Sequence, residues 1–434
     1  MSVRGAAFLG IGAMVGAGIF ALLGEAGTVA GSAVWLSFLL AGIVAALLGY
    51  NVVKLGVRYP SSGGLIAYLL QGFGNGRLVG IASWLGYFAA IVIVCSMVAV
   101  AFGSYATSLF VGDDAGAAWD NIFTSIIVVA MAAISLVGAG FVDRVQSLIV
   151  VLLLGVFAIF IAVTIVDIDL DLLAFDGYPP FSDIIASVAL TFFAYLGFSV
   201  ITFAVGDLRE PARELPKAMY VALGVTALTY VLIALGVFGT LTVEEVVGYG
   251  ETAIAEAARP ALGDAGFAIM AIAALLATAS SVNATLYASG GLTAMLAEVG
   301  QFPPFFGRGS PLGQNAGLLI TAAIVLAVSN LVDLSAIASV GSACSLMIFL
   351  LVGVAGFRLR SETGALGTLV LVGIAATAVV LVFFAVDTLR NAPQTFVAIV
   401  AIAALAVILD TIWKRVRPEP PPAAAAAPVE FGGA

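Results

Sequence analysis

The sequence contains no histidine, and that absence removes His-based proton relays, His metal sites and every His-containing catalytic triad. Charge is nearly as scarce. Only 9% of the 434 residues are Asp, Glu, Lys or Arg, against about 25% in an ordinary soluble domain. A water-facing surface cannot be covered with so few charges, so the solvent for most of this chain is lipid. The two cysteines, Cys95 and Cys344, sit in separate apolar stretches and form neither a disulfide framework nor a CxxC motif. The net charge of −9, from 25 acids against 16 bases, argues against a nucleic-acid partner. Nothing in the sequence calls for a cofactor or a metal. What is abundant is apolar, 62% of all residues, and the fold class that follows is an all-α integral membrane protein.

With charges this rare, the gaps between them map the membrane spans. About 20 apolar residues cross the ~30 Å hydrocarbon core as a helix. Twelve long charge-free stretches lie in series: 5–24, 26–53, 78–112, 121–142, 145–166, 184–206, 218–243, 265–297, 309–332, 334–357, 363–386 and 391–409. The gap 59–76 is rich in Gly and Ser and reads as a short helix lying at the interface. The first stretch lacks a convincing cleavage site and is read as a retained helix. With the N-terminus inside, fourteen of the sixteen basic residues fall on the inner side, from Arg4, Lys54 and Arg58 to Lys414, Arg415 and Arg417. Only Arg259 and Arg390 fall outside, so the positive-inside rule puts both termini in the cytoplasm. The acids cluster in the outer loops (Asp113, Asp114, Asp120, Asp167, Glu244, Glu251 and Glu256 among them). Two explanations stand, simple solvation of those loops or an acidic exterior suited to high external salt. The Pro/Ala-rich tail has little reason to fold.

Ten of the fifteen prolines read as lying in loops, Pro311 and Pro393 at the very start of their stretches, and five lie in the tail. Any break inside a span must therefore come from glycine. Span 1 carries Gly10, Gly12, Gly16 and Gly18, and span 6 carries Gly197 within Thr191-Phe192-Phe193-Ala194-Tyr195-Leu196-Gly197-Phe198-Ser199. Unwound backbone is tolerated at membrane depth only where protein or a cavity satisfies it. A break exposes N–H groups at the start of one half-helix, suited to a carboxylate, and C=O groups at the end of the other, suited to an ammonium group or a cation. Each cluster opens a block of five spans, and an odd number inverts the second block, the arrangement of a transporter site between inverted repeats. The competing explanation is close helix packing through Gly12-x-x-x-Gly16.

These residues resemble the amino acid–polyamine–organocation superfamily of permeases, over nearly the whole chain to about residue 413. Gly16-Ala17-Gly18-Ile19-Phe20 is similar to the family's G-[SAT]-G-I-F break, and Phe192 to Phe198 to its F-x-A-[FY]-x-G-F segment. Tyr59-Pro60-Ser61-Ser62-Gly63-Gly64, Glu210-Pro211-Ala212-Arg213-Glu214-Leu215-Pro216-Lys217 and Leu275 to Ala284 fit in order. The resemblance implies twelve transmembrane helices in a five-plus-five inverted repeat (5–166 and 184–357) with broken helices 1 and 6. Two extra helices (363–413) would close a permease domain of residues 1–413, followed by a cytoplasmic tail of 414–434. It implies that Met14, Gly16, Ala17, Gly18 and Ile19 meet a substrate α-carboxylate. Carbonyls near Phe193, Ala194 and Leu196, beside Gly197, would receive the α-ammonium group. Tyr195 and Phe198 are candidates for gate or pocket walls, or for packing. Tyr87, Asn283 and Ser342 are further pocket candidates. Relatives' mid-membrane ions are missing here: Ser199 follows the span 6 G-F, and Leu153 stands where some relatives carry a Lys.

An ionisable group at mid-membrane costs roughly 2.5–3.5 kcal/mol, and no charge-free stretch contains one by definition. A coupling cation, Na⁺ or H⁺, then meets neutral oxygens: span 1 carbonyls with Ser280 and Ser281. Those serines could equally bond their own helix, and uncoupled exchange stays open. The function expected is a plasma-membrane secondary transporter of amino acids working by alternating access. The rivals are a permease for another small organic solute such as a nucleobase, and a non-transporting sensor. An enzyme is excluded because the spans hold no His, Asp or Glu.

Overall fold

Backbone N–H and C=O groups have no water to bond in hydrocarbon, so an apolar chain of this kind must satisfy them within each segment. The computed structural model describes residues 2–61, 64–112, 116–137, 142–166, 168–307 and 315–416, and they are helical with no strand among them. Asp113, Asp114, Asp167, Ser62, Gly63, Arg308 and the tail from 417 lie outside these residues. In chain order the helices are α1 (Val3–Ala17), α2 (Ile19–Ala30), α3 (Val34–Arg58), α4 (Gly64–Phe73), α5 (Arg77–Tyr87), α6 (Val94–Phe110), α7 (Ala117–Val137), α8 (Val142–Val166) and α9 (Phe181–Phe193). There follow α10 (Pro211–Phe238), α11 (Val243–Tyr249), α12 (Ala253–Glu256), α13 (Arg259–Glu298), α14 (Ala316–Leu331), α15 (Leu334–Arg358), α16 (Arg360–Thr363), α17 (Gly367–Asn391) and α18 (Pro393–Val416). Among the described residues, 10 helical stretches are long and apolar enough to cross a membrane, and Val3–Gly16, Gly64–Phe73 and Ala316–Leu331 are shorter apolar helices.

Three boundaries differ from the charge map. Glu25 separates the first two charge-free stretches, but the chain turns later, at Gly31, whose φ of +53° is a left-handed value that favours glycine. Glu25 therefore rides in the middle of α2, an acid carried inside a packed helix rather than in a loop. Pro216 precedes the predicted seventh span yet lies inside α10, which starts at Pro211. Its missing N–H removes one bond in the second turn, a local loss that the flanking turns tolerate. The segment read as an interfacial helix is α4, and it is folded into the protein, with Tyr68 and Leu69 fully buried.

With lipid as apolar as leucine, helices associate by close van der Waals fit, and small residues set the approach distance. On α3 the glycines recur every seventh residue. A Cβ at Gly42 would lie 3.1 Å from Ala227, at Gly49 3.2 Å from Leu223 and at Gly56 3.3 Å from Leu215, all on α10. That stripe seats α3 on α10 and brings the next segment, around Tyr195, against both. α17 and α18 present Val379, Val382, Val397, Val400 and Ile408 outward, as a lipid-facing surface requires.

Candidate functional site

α1 ends at Ala17 and α2 begins at Ile19, with Gly18 between them at φ −108°, ψ −72°. α9 ends at Phe193, Ala194 caps it, and the chain continues as a 3₁₀ helix over Leu196–Asp207. The two interruptions touch. A Cβ at Gly18 would stand 2.6 Å from the Ala194 Cβ, 2.7 Å from its carbonyl oxygen and 2.8 Å from its Cα. Three residues on, a Cβ at Gly197 would stand 2.5 Å from the Met14 backbone nitrogen. The amino end of α2 thus meets the carboxyl end of α9, where the Thr191 and Phe192 carbonyls are taken by the Ala194 and Tyr195 N–H groups at 3.2 and 2.9 Å. Opposite helix-dipole ends converge at one point without any ionised side chain.

The surrounding side chains hold this point rigidly. The Tyr195 hydroxyl donates to the Phe38 carbonyl at 3.0 Å, and the Tyr230 hydroxyl donates to the Ala194 carbonyl at 3.3 Å. The rings of Tyr195 and Tyr230 meet edge-on at 5.2 Å, and Phe38 meets Tyr230 at 5.3 Å. Phe198 lies against Phe349 of α15 at 5.2 Å, and Phe193 crowds Gly341, whose Cβ would be 2.6 Å from the ring. Met14, Ile19, Phe193, Ala194, Tyr195 and Phe198 are all buried, so this conformation is closed around the two breaks. Leu196 and Gly197 are partly buried. The Leu196 carbonyl takes the Ser199 hydroxyl at 3.0 Å. A carbonyl oxygen has two lone pairs, so the Ala194 oxygen keeps one for a further donor, whereas the Leu196 oxygen also serves the i+3 backbone bond of its 3₁₀ turn.

Tyr195 turns into the α3–α10 packing, so of its two readings the structure supplies the contacts of the packing one. Removing its hydroxyl leaves the Phe38 carbonyl without that donor. Tyr195→Phe is expected to cost about 1 kcal/mol, read as a lowered thermal unfolding midpoint of the detergent-solubilised protein.

Gly16 rests on α13, where its Cβ would lie 2.8 Å from the Ala277 carbonyl and 3.1 Å from Ser281 Cβ. Ser281 is buried beside α1, and Ser280, one residue along, is partly buried and engaged. Asn283 lies on another side of α13, where its Oδ1 accepts from Ser135 of α7 at 2.9 Å. That bond takes Asn283 out of the set around α1. Ser342 bonds its own helix at Ala338, and Tyr87 shares a 2.8 Å hydrogen bond with Thr321. Leu153 of α8 faces α1, lying with Val150 and Leu154 beside Ile11 and Val15 at a shallow apolar seam.

One feature escaped sequence reasoning. Between α5 and α6 the backbone widens to a π-helix over Phe88–Ile93, a deviation frequent at functional sites. Its last residue, Ile93, crowds Gly341 together with Phe193, its Cγ2 2.6 Å from the Gly341 Cβ position. Hydropathy carries no signal for it, because an i→i+5 bond asks for no particular residue.

Comparison with known proteins bears on this geometry. The amino acid permease family model matches residues 1–410. The inner membrane transport protein YbaT of Escherichia coli is 30% identical over 94% of each chain. The methylthioribose transporter of Bacillus subtilis is 27% identical over 82% of this chain and 79% of its own. The branched-chain amino acid permease BcaP of Bacillus subtilis is 27% identical over 55% of this chain and 54% of its own. With its apolar helices and a match along nearly its whole length, the chain belongs to the amino acid permease family and is a membrane permease, not an enzyme.

Proposed function

We propose that this permease moves amino acids across the plasma membrane by alternating access, with both termini in the cytoplasm. Its organisation on this reading is twelve spans in a five-plus-five inverted repeat, 5–166 and 184–357. Two further helices complete a domain of residues 1–413 ahead of the tail, 414–434. α1 with α2 forms the broken first span, and α9 with the following 3₁₀ segment forms the broken sixth. The observation that carries the reading is the contact of Gly18 with Ala194, which sets an N–H-rich helix start against a C=O-rich helix end. A zwitterion offers the complementary pair of charges. Its carboxylate suits backbone from Met14 through Gly16, Ala17, Gly18 and Ile19, and its ammonium suits the carbonyls of Phe193, Ala194 and Leu196. Phe198 and Tyr195 shape the wall behind Gly197. A coupling cation fits the α1 carbonyls with Ser281 and Ser280, since Ser281 already lies against Gly16; hydroxyl and carbonyl oxygens of that kind suit Na⁺.

Uptake of labelled amino acids into proteoliposomes, with Na⁺ and pH gradients imposed separately, tests the reading. Saturable uptake of at least one amino acid is expected, and none across the twenty common ones would sink it. The similarity to a methylthioribose transporter favours one alternative, a small organic solute lacking the zwitterion. Competition separates the two. A site for amino acids is blocked by zwitterions and not by amine-only or carboxylate-only analogues.

A further inference from the structure

Two acids sit on touching segments away from the breaks, on what the proposed topology makes the outer side. Glu25 is on α2, and Glu251 is in the short 3₁₀ turn Gly250–Thr252 between α11 and α12. The residues just before them are in contact. A Cβ at Gly24 would lie 2.6 Å from the Gly250 carbonyl oxygen and 3.0 Å from the Gly250 Cα. Both carboxylates are partly buried, and the Ser335 hydroxyl at the head of α15 bonds Glu25. Behind them the Tyr105 hydroxyl of α6 is fully buried and has no hydrogen-bond partner, within electrostatic reach of Glu251 and Glu256.

The neighbouring charges do not relieve this pair. Asp120 of α7 adds a further negative charge near Glu251. Glu244 and Glu245 of α11 are exposed, Glu245 being held in a capping box with Thr242. Asp183 at the head of α9 takes the Ser182 hydroxyl, and Asp333 before α15 is exposed. Arg259 lies 2.7 Å from Glu256 and 2.7 Å from Asp264, and its guanidinium covers the Phe267 ring. Among the described residues no group of three or more acids or thiols is arranged to hold a metal ion. Two partly buried carboxylates carried by touching backbone segments and within electrostatic reach of each other cannot both stay ionised cheaply, and one proton relieves the repulsion.

We propose that Glu25 and Glu251 form a proton-binding site at the outer mouth, and that the contact of α2 with the Gly250–Thr252 turn closes when the pair takes one proton from the external water. Burial raises the Glu251 carboxyl above its ordinary value, a hydrogen bond from its own backbone works against that, and the charges of Glu25 and Asp120 raise it further. The sign follows. A group whose value is raised in the closed state stabilises that state at low pH, and the stabilisation is lost as pH rises through the raised value. The mouth is therefore tightest in acid and loosens toward alkaline pH. Only the motion of α2 against this turn is taken from the alternating-access reading above.

Spin labels read the motion without requiring transport. Thr28 on α2 and Val247 on α11 are both exposed, and the native Cys95 and Cys344 are buried, so Thr28→Cys with Val247→Cys labels selectively. In lipid nanodiscs one short inter-label distance is expected at about pH 5, with a longer population about tenfold more abundant at about pH 8. Glu25→Gln and Glu251→Gln, each placed alone in the labelled protein, mimic the protonated pair and should hold the short distance at both pH values. Identical distance distributions at both pH values in the parent would overturn the site. So would a pH shift surviving in both Gln variants, or closure at about pH 8 by Ca²⁺ alone, which would make the ligand a divalent cation. The same labelled variants, reconstituted into proteoliposomes, are assayed for amino acid uptake. A distance shift without uptake sinks only the transport reading, and uptake without a distance shift sinks only the proton site.

Discussion

Gly18→Ala abolishes saturable uptake while leaving the protein inserted and helical. The added Cβ would sit 2.6–2.8 Å from three atoms of Ala194, two of them backbone. Real Cβ contacts do not come so close, and backbone atoms cannot swing aside as a long side chain does. The two interrupted helices must therefore separate by a sizeable fraction of an ångström. Displacement on that scale costs on the order of 100-fold where groups must be held in register, and the N–H groups of α2 and the carbonyls of α9 lose theirs. Gly18→Leu goes further, because its side chain fills the space offered to the carboxylate. Gly155→Ala on α8 and Gly224→Ala on α10 are the controls, since a Cβ at either meets nothing within 4 Å. Both should transport as the parent does. Uptake retained in Gly18→Ala would remove the breaks from the transport path and leave the glycines a packing role.

How much of this site was legible beforehand depends on what each residue reports. Charges report where water reaches, so their gaps located the helices, and α13 and α15 fall where the stretches predict. Glycine in a proline-free span reports freedom to unwind, which is why the interruptions at Gly18 and after Phe193 could be anticipated. Neither signal carries direction. Tyr195 looks the same in sequence whether it walls a cavity or anchors a helix, and only the bond to Phe38 shows which contact it makes. Asn283 is a pocket residue by its place in span 8, yet a helix turns about 100° per residue, so it cannot share the side on which Ser281 meets Gly16. The heptad spacing of Gly42, Gly49 and Gly56 was open to view and marks the α10-facing side of α3. It was hidden by the number of other glycines. Glu25 misled for a physical reason: a lone charge normally ends a span, and here packing against the Gly250 turn keeps it inside a helix.

Lys414→Met destabilises the protein by about 3–5 kcal/mol, because it leaves a buried carboxylate without its partner. Asp410 on α18 is 0% exposed, and Lys414, one turn later, holds its ammonium 2.9 Å from Asp410 Oδ1 with 27% exposure. The pair belongs to a polar latch binding the last helix to the start of α5 and the end of α13. Lys414 also donates to the Gly76 carbonyl at 3.2 Å, Trp413 to the Gly300 carbonyl at 3.0 Å and Arg77 to Thr411 at 2.8 Å, while Gln301 bonds Asn75. Gly80 makes the latch fit, since a Cβ there would stand 2.7 Å from Lys414 Nζ and 2.8 Å from Gln301 Oε1. The Coulomb gain of such a pair is largely offset by desolvation, whereas a single unpaired charge keeps the whole penalty. The double variant Asp410→Asn with Lys414→Met should therefore recover most of what Lys414→Met loses. A double-mutant cycle on unfolding midpoints in detergent measures this directly. Equal losses in the single and double variants would mean that hydrogen bonds to Gly76, rather than neutralisation of Asp410, hold the helix, and that water reaches the carboxylate despite its burial.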